Sequence, residues 1–434
     1  MPLTASRIPL GRAHMLASAV IRDATRARLP VDTLTPLGSL RRFAPDIGDV
    51  ALLAIAPAES HADVLAAFAR LQVFARAYGM SPSSVTAVSE RGSVTLHVAS
   101  PADAGAALAW HTGSRAHTTQ LQRRAHQLGL QLEGPHLARA DGELVETLTE
   151  HDVYERLGLP CIPPELREGR DEIAIAQAGR LPSLVTARDI RGDLHTHSTW
   201  SDGRDSMEGM VAAARELGYE YVAITDHSER SLASRRLRAA DVPRQRREIE
   251  GIRARISGID VLHGVEVDIM PDGSLDFDDE QLEAFDVVLA SLHDHAGQSP
   301  ERLTERYLRA IEHPLVNVIT HPANRSPAAF TGYDVDFDRL FAAAAEAGTA
   351  MEIDGAPGHL DMDGLLARRA VAAGVTVVID SDCHRADGLG RQMEFGLGTA
   401  RRGWVEPRHV LNTRRADAVR DFVSTKRARS RASR

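Results

Sequence analysis

Only two cysteines occur in the 434 residues, Cys161 and Cys383. That excludes a disulfide framework, and the expected compartment is the reducing cytoplasm. Aromatic residues are scarce at 4%, against a hydrophobic content of 43%, so the core must be aliphatic and rich in alanine. No apolar run approaches the roughly 20 residues that cross a bilayer. The start, Met1-Pro2-Leu3-Thr4-Ala5-Ser6-Arg7, leads straight into helical pattern with no sign of a signal peptide. A membrane partner is therefore not expected. Positive charge is not in surplus either: 51 Lys and Arg face 60 Asp and Glu, for a net charge of −9. This argues against a generally basic nucleic-acid binder. It leaves DNA open as a partner, because cations held by clustered acidic groups would offset their charge.

What the chain does have is a series of polar residues ending apolar runs. Asp193-Leu194-His195-Thr196-His197, followed by Asp202, sets two imidazoles two residues apart and a carboxylate shortly after. On an extended strand, residues i and i+2 point to the same side. His195 and His197 can thus face one cation, with Asp202 returning from the next loop. Imidazole and carboxylate are ligands that zinc, manganese and iron accept. A lone pair of this kind is commonly a surface or core feature, but here it opens a series. The run from 221 ends at His227, that from 261 at Glu266, that from 287 at His293 and that from 316 at His321. The run from 376 ends in Asp382-Cys383-His384. Each is β-branched and about strand length. Between them, 207–217, 303–311 and 340–347 show helical spacing. Alternating strands and helices imply an α/β fold with a parallel sheet, and polar strand ends are the mark of a barrel's catalytic rim. Cys383 stands between two of these ligands, and its thiol is expected in the barrel wall.

The nine residues and their order resemble the polymerase and histidinol phosphatase (PHP) domain, over about 190–415. The resemblance implies a distorted parallel (β/α) barrel holding up to three divalent metal ions: zinc, manganese or iron, with manganese supporting activity. It implies that His195, His197, Glu266 and Asp382 hold a first ion. Glu266, His293 and His321 would hold a second, and Asp202, His227 and His384 a third. Arg191-Gly192-Asp193-Leu194-His195, Gly264-Val265-Glu266-Val267-Asp268-Ile269, Asp272-Gly273-Ser274-Leu275-Asp276 and Arg402-Gly403-Trp404 resemble the PHP domain of bacterial family X DNA polymerases. Glu165-Leu166-Arg167-Glu168 is similar to their thumb-to-PHP junction.

The N-terminal half then resembles a family X palm and thumb, an α+β arrangement. Gly38-Ser39, with Arg41 and Arg42, is similar to the turn that cradles nucleotide phosphates. Thr112-Gly113-Ser114-Arg115-Ala116-His117 resembles the start of the thumb. The expected divisions are palm 1–104, thumb and linker 105–185, PHP domain 190–415 and a basic tail 416–434. The palm is degenerate. Two magnesium ions need three carboxylates. Asp49 fits the first, but Ala51 and Thr95 stand at the other two. The helix-hairpin-helix segment expected before the palm is missing from the sequence. In the barrel, Asp354 and His359 stand where the family usually has asparagine and arginine, a change of charge expected to weaken the grip on DNA.

Local basic stretches remain. Arg230, Arg235, Arg236 and Arg238 follow His227 and are placed to meet a phosphate backbone. Lys426, Arg427, Arg429, Arg431 and Arg434 are expected to form a solvated, disordered end rather than a DNA contact. Arg325 is the expected phosphate clamp beside the metal site. The leading function class is a metal-dependent phosphoesterase processing DNA 3′ ends, gapped or single-stranded, as a 3′–5′ exonuclease. The alternatives are a small-molecule phosphatase of the histidinol-phosphatase type and a non-catalytic DNA-end scaffold.

Overall fold

The computed structural model describes residues 7–327 and 329–432; the leader expectation at Met1–Ser6, Arg434, and the side chains of Arg429 and Arg431 lie outside the described residues. The chain forms two compact units, Met1–Leu181 and Pro182–Arg434. No described helix is long and apolar enough to cross a membrane.

The first unit is built on a five-stranded sheet in the order Leu34–Pro36, Val50–Ile55, Gly92–Ala99, Ser84–Ser89, Arg76–Tyr78. Two of the inner strands, Val50–Ile55 and Gly92–Ala99, run parallel, with Ala51 opposite Thr95; the other pairs are antiparallel. The helix Leu10–Arg26 buries Leu10, Ala13, Leu16, Ala17, Val20 and Ala24, a single apolar stripe at helical spacing. Helices Ala104–Thr112 and Arg115–Gln127 follow the sheet. The Ser114 side chain caps the second of them by accepting the His117 backbone N–H at 3.1 Å.

The second unit is a barrel of seven parallel strands in chain order: Gly192–Asp193, Tyr221–Ile224, Asp260–Asp268, Val287–Ser291, Val318–Ile319, Ala350–Asp354 and Val377–Asp380. Their residues alternate between two clusters. Val222, Ile224, Val288, Ile353 and Ile379 pack outward against the helices. Tyr221, Ala223, Leu262, Leu289, Val318, Ala350 and Val378 pack inward. Along that inner face the side chains change character, from Leu262 to Glu266, from Ala350 to Glu352 and Asp354, and from Val378 to Asp380 and Asp382. Apolar floor and polar rim are thus written into the period-2 pattern of the strands.

The first and last strands do not form a regular ladder, and side chains join the seam. Asp380 Oδ1 accepts the Leu194 N–H at 2.8 Å, and Asp193 Oδ1 accepts the Ser381 N–H at 3.3 Å. Asn412 accepts from Ile379 N at 3.1 Å and donates to Gly192 O at 2.9 Å, so one amide touches both strands. Above it, Thr196 and Cys383 form an isolated parallel bridge. Cys383 is buried in the outer core.

The basic C-terminal segment needs correction. Residues 416–432 form a helix instead of a solvated end. Val419 and Val423 close the barrel floor against Leu262, Val287 and Val378. Lys426 is buried, donating to Thr349 Oγ1 at 2.6 Å, Ile311 O at 2.9 Å and Val316 O. Apolar residues at 419 and 423, one helical turn apart, were outweighed in the sequence by the arginines around them.

Candidate metal centre

The rim gathers all nine side chains expected there, Glu266 near the end of the strand Asp260–Asp268 and the other eight on the segments that follow strands. His195, His197 and Asp382 form one group, His227, Glu266 and His293 a second, and His197, Asp202, His227 and His384 a third. In the first group, His197 Nε2 lies 3.1 Å from His195 Nε2 and 3.0 Å from Asp382 Oδ1. Glu266 lies centrally. Its Oε2 is 3.5 Å from His195 Nε2 and 2.6 Å from His227 Nδ1; its Oε1 is 2.9 Å from His321 Nε2 and 3.6 Å from His293 Nε2. Asp202 Oδ1 is 3.2 Å from His384 Nε2 and 3.5 Å from His227 Nε2. Two of these residues, His321 and Asp382, have left-handed backbone at φ +26 and +48. Such conformations persist only where the surroundings hold them, and they concentrate at functional sites.

The donor set fits divalent metal ions. His195 Nδ1 lies 2.7 Å from Glu352 Oε1, a carboxylate that can hold the ring proton on that side and turn Nε2 toward the site. That Nε2 faces His197 Nε2 at 3.1 Å. Glu266 Oε2 and His227 Nδ1, 2.6 Å apart, are both buried without a hydrogen-bond partner. Acceptors converging in this way need a cation among them. Charge on the cluster is shared among its members: against burial, Glu352 and Glu266 raise His195 well above the usual imidazole value, and neighbouring carboxylates raise His293 and His384 to about 9. Burial opposes charge on Glu266, but His227, His195 and His293 hold its carboxyl well below the usual range. Burial, then His384 and His227, push His197 down to about 3, keeping it neutral and fit to ligate.

Several buried groups beneath the ligands were not singled out in the sequence. Glu352 holds His195 and also accepts the His321 backbone N–H at 2.7 Å. Asp268 Oδ1 lies 2.9 Å from His293 Nδ1. Asp226 accepts from Ser198 N, Ser201 N and Gln245 Nε2, and so shapes the loop between His197 and Asp202. A signal existed: Glu352 is an ionisable residue inside the apolar run Ala350-Met351-Glu352-Ile353.

Other sequence expectations land differently. Asp354 is no exposed anion. It is fully buried, its Oδ1 accepts the Ala356 N–H at 2.6 Å, and burial followed by Asp382 and Glu352 raises its pKa well above the carboxylate range. His359 stacks on His321, with centroids 5.2 Å apart, and burial pushes it down to about 4, so the ring is neutral. Arg325 lies at the rim with Nη1 3.4 Å from Asp363 and a buried Nε that finds no partner among the described residues. Arg235 and Arg236 donate to Gly203 O and Ser231 O, tying the loop after His227 to itself and to the Asp202 turn.

In the first unit, Gly38 adopts φ +58, the left-handed turn that favours glycine, and opens the short helix Gly38–Arg41 that contains Ser39. The guanidinium groups expected to bind phosphate have protein partners. Arg41 forms a two-pronged pair with Glu150 at 2.6 and 2.9 Å, and Arg42 bonds Glu168 Oε1 at 3.0 Å and Thr112 O at 2.7 Å. They join the helix Gly38–Arg41 to residues within the 107–168 stretch. Where palm carboxylates would stand, Ala51 packs with Leu37, Leu53, Ala99 and Ala107, and Thr95 Oγ1 pairs with Thr86 Oγ1 at 2.9 Å.

Residues 107–168 match the DNA polymerase beta thumb model, and residues 193–352 match the PHP domain model. The chain belongs to the family X DNA polymerase-like proteins that carry a PHP domain. A Bacillus subtilis (strain 168) relative, the DNA polymerase/3′-5′ exonuclease PolX, is 36% identical over 313 residues, which is 72% of this chain and 54% of that protein. The chain thus spans about half the length of this relative. A probable phosphatase of Thermoanaerobacter sp. (strain X514) is 30% identical over 51% of this chain and 89% of its own length. A probable phosphatase of Syntrophotalea carbinolica is 29% identical over 53% of this chain and 95% of its own length.

Proposed function

We propose that the chain is a metal-dependent phosphoesterase that hydrolyses DNA phosphodiesters at 3′ ends, as a 3′–5′ exonuclease in end processing, and that its palm does not polymerise. The observation that carries the reading is the set of facing acceptors around Glu266, above all the two imidazole nitrogens 3.1 Å apart. Divalent ions, if bound there, would supply a water activated at neutral pH and neutralise phosphoryl charge. In this reading His195, His197, Glu266 and Asp382 would hold the first ion, Glu266, His293 and His321 the second, and Asp202, His227 and His384 the third. Glu352 and Asp268 fix the ring orientation of His195 and His293, so that their Nε2 atoms face the site. Arg325 offers a guanidinium to a non-bridging phosphate oxygen from the same rim. No protein nucleophile is required.

The nucleic-acid half of the reading is supported by the polymerase beta thumb match and by the resemblance to the Bacillus relative. Loss of polymerisation is supported by the apolar packing around Ala51 and the neutral Thr95. Arg41 and Arg42 would have to leave Glu150 and Glu168 to meet phosphate, so any DNA contact by the Gly38-Ser39 turn falls chiefly to its backbone. A second reading, small-molecule phosphatase, is favoured by relatives named probable phosphatases that this chain covers almost end to end. Purified protein with manganese separates the two. A ladder shortening from the 3′ end of 5′-labelled DNA supports the first, and hydrolysis confined to simple phosphomonoesters supports the second.

A further inference from the structure

Aromatic side chains make up 4% of this chain, so one left in solvent on the loop that follows His321 asks for a reason. Phe330 is 49% exposed. It lies in the loop that follows His321. Phe330 N–H donates to Ser326 O at 2.8 Å, and Ser326 N–H donates back to Phe330 O at 2.9 Å. Gly332, at φ +104, then folds the chain back so that Tyr333 N–H reaches Ala323 O at 2.7 Å. A Cβ at Gly332 would stand 2.5 Å from Ala323 O, so the return requires glycine.

The exposed ring has a neighbour anchored to the metal ligands. Phe330 and Tyr333 meet edge to face, centroids 6.2 Å apart, and Tyr333 meets His295 the same way at 6.1 Å. The Tyr333 hydroxyl donates to His293 O at 3.2 Å and accepts from Asn324 Nδ2 at 2.7 Å. The aromatic cluster is therefore fastened to the loops that carry His293 and His321. Arg325 belongs to the same loop. A π-face for a base and a guanidinium for its phosphate, both on the loop that carries His321, form the combination that holds unpaired nucleic acid.

We infer that Phe330, backed by Tyr333, is a stacking platform for an unpaired base of the DNA strand whose phosphodiester lies at the metal centre. The inference rests on the phosphodiesterase reading above. It adds the feature that would make a single strand a better substrate than a bare phosphoester, because every base presents a π-face whatever its identity.

Fluorescence anisotropy with phosphorothioate oligothymidylates, which resist cleavage, reads binding apart from hydrolysis. A single abasic residue is walked inward from the 3′ end. In the unaltered protein it is expected to weaken binding about 5- to 150-fold at one position. Phe330→Leu and Phe330→Ala should shrink that loss to below about twofold, whereas Phe330→Trp should keep it. The ring is exposed, so thermal melting should show each variant folded. An abasic profile with no position dependence, or one unchanged in both Phe330→Leu and Phe330→Ala, overturns the platform. Ordinary phosphodiester strands with manganese test the reading beneath. Binding that depends on Phe330 without any cleavage would sink the phosphodiesterase and leave the platform. Cleavage with binding indifferent to Phe330 would do the reverse.

Discussion

Glu352 holds two metal-centre histidines with one carboxylate: Oε1 accepts the His195 Nδ1 proton and Oε2 accepts the His321 backbone N–H, each at 2.7 Å. It is fully buried in the strand Ala350–Asp354 and forms neither bond with solvent. Glu352→Gln keeps the shape and an acceptor but removes the charge that orients His195. Metal affinity should fall about 10- to 100-fold while the thermal midpoint moves little. Glu352→Ala should do the same and also cost roughly 1–3 kcal/mol of stability, by leaving buried donors without partners. Metal titration followed by elemental analysis measures the first effect and calorimetry the second. Unchanged metal affinity in both variants would remove Glu352 from the site.

Removal of a ligand should act more severely. Protein purified without chelators is expected to carry more than one equivalent of zinc, manganese or iron. His197→Ala, which removes the nitrogen facing both His195 and Asp382, should abolish hydrolysis in a folded chain, as should Asp382→Ala. A chain that takes up no metal from manganese buffer, or a His197→Ala variant with full activity, would contradict the metal-centre reading.

The site was legible because each ligand ends a β-branched run, and strand ends of a parallel barrel share one rim. Histidine and aspartate announce themselves there. The supporting carboxylates did not. Glu352 was marked only by its place inside an apolar run, and Asp226 and Asp268 look like ordinary acidic residues until the inner face of each strand is known, which the barrel's closure sets. The seam was equally hidden. Asp193, Asp380 and Asn412 meet across about 190 to 220 positions of sequence, and no local pattern records such a pairing. At the C-terminal segment charge misled, because composition was weighed above the two valines that turn to the barrel floor.

The palm gives a sharper test. Primer extension with magnesium or manganese and all four deoxynucleotides should yield no product, because Ala51 is packed among apolar side chains and Thr95 is a neutral hydroxyl paired with Thr86. Asp103 is an unpromising substitute, since its two oxygens are bonded to Ser100 and His136. Efficient extension would mean that other carboxylates assemble a two-metal site.

Asn412 offers a test of how the barrel is closed. Its amide reaches Gly192 on the first strand and Ile379 on the last, and it is fully buried. Asn412→Ala leaves a buried N–H and carbonyl oxygens on both strands without partners, at a cost of about 3 kcal/mol. The melting midpoint should drop by roughly 6–12 °C. A drop below a couple of degrees would show that the Asp193 and Asp380 bonds close the seam alone.

The C-terminal helix makes the last prediction. A solvated tail would tolerate any polar substitution, whereas a floor plug would not. Val423 lies against the apolar interior with Val419, Leu262 and Val287, while Asp421 on the same helix faces solvent. Val423→Asp should destabilise the barrel by about 3–5 kcal/mol, because a carboxylate is forced among apolar side chains without a partner. Asp421→Ala should stay within about 0.5 kcal/mol. Chemical denaturation of the full chain reads both. The contrast between two neighbours is the informative quantity, since a segment without fixed packing would treat them alike. Equal and small effects would return residues 416–432 to the status of a tail. The expected split makes them the element that seals the apolar floor at the end of the barrel remote from the metal centre.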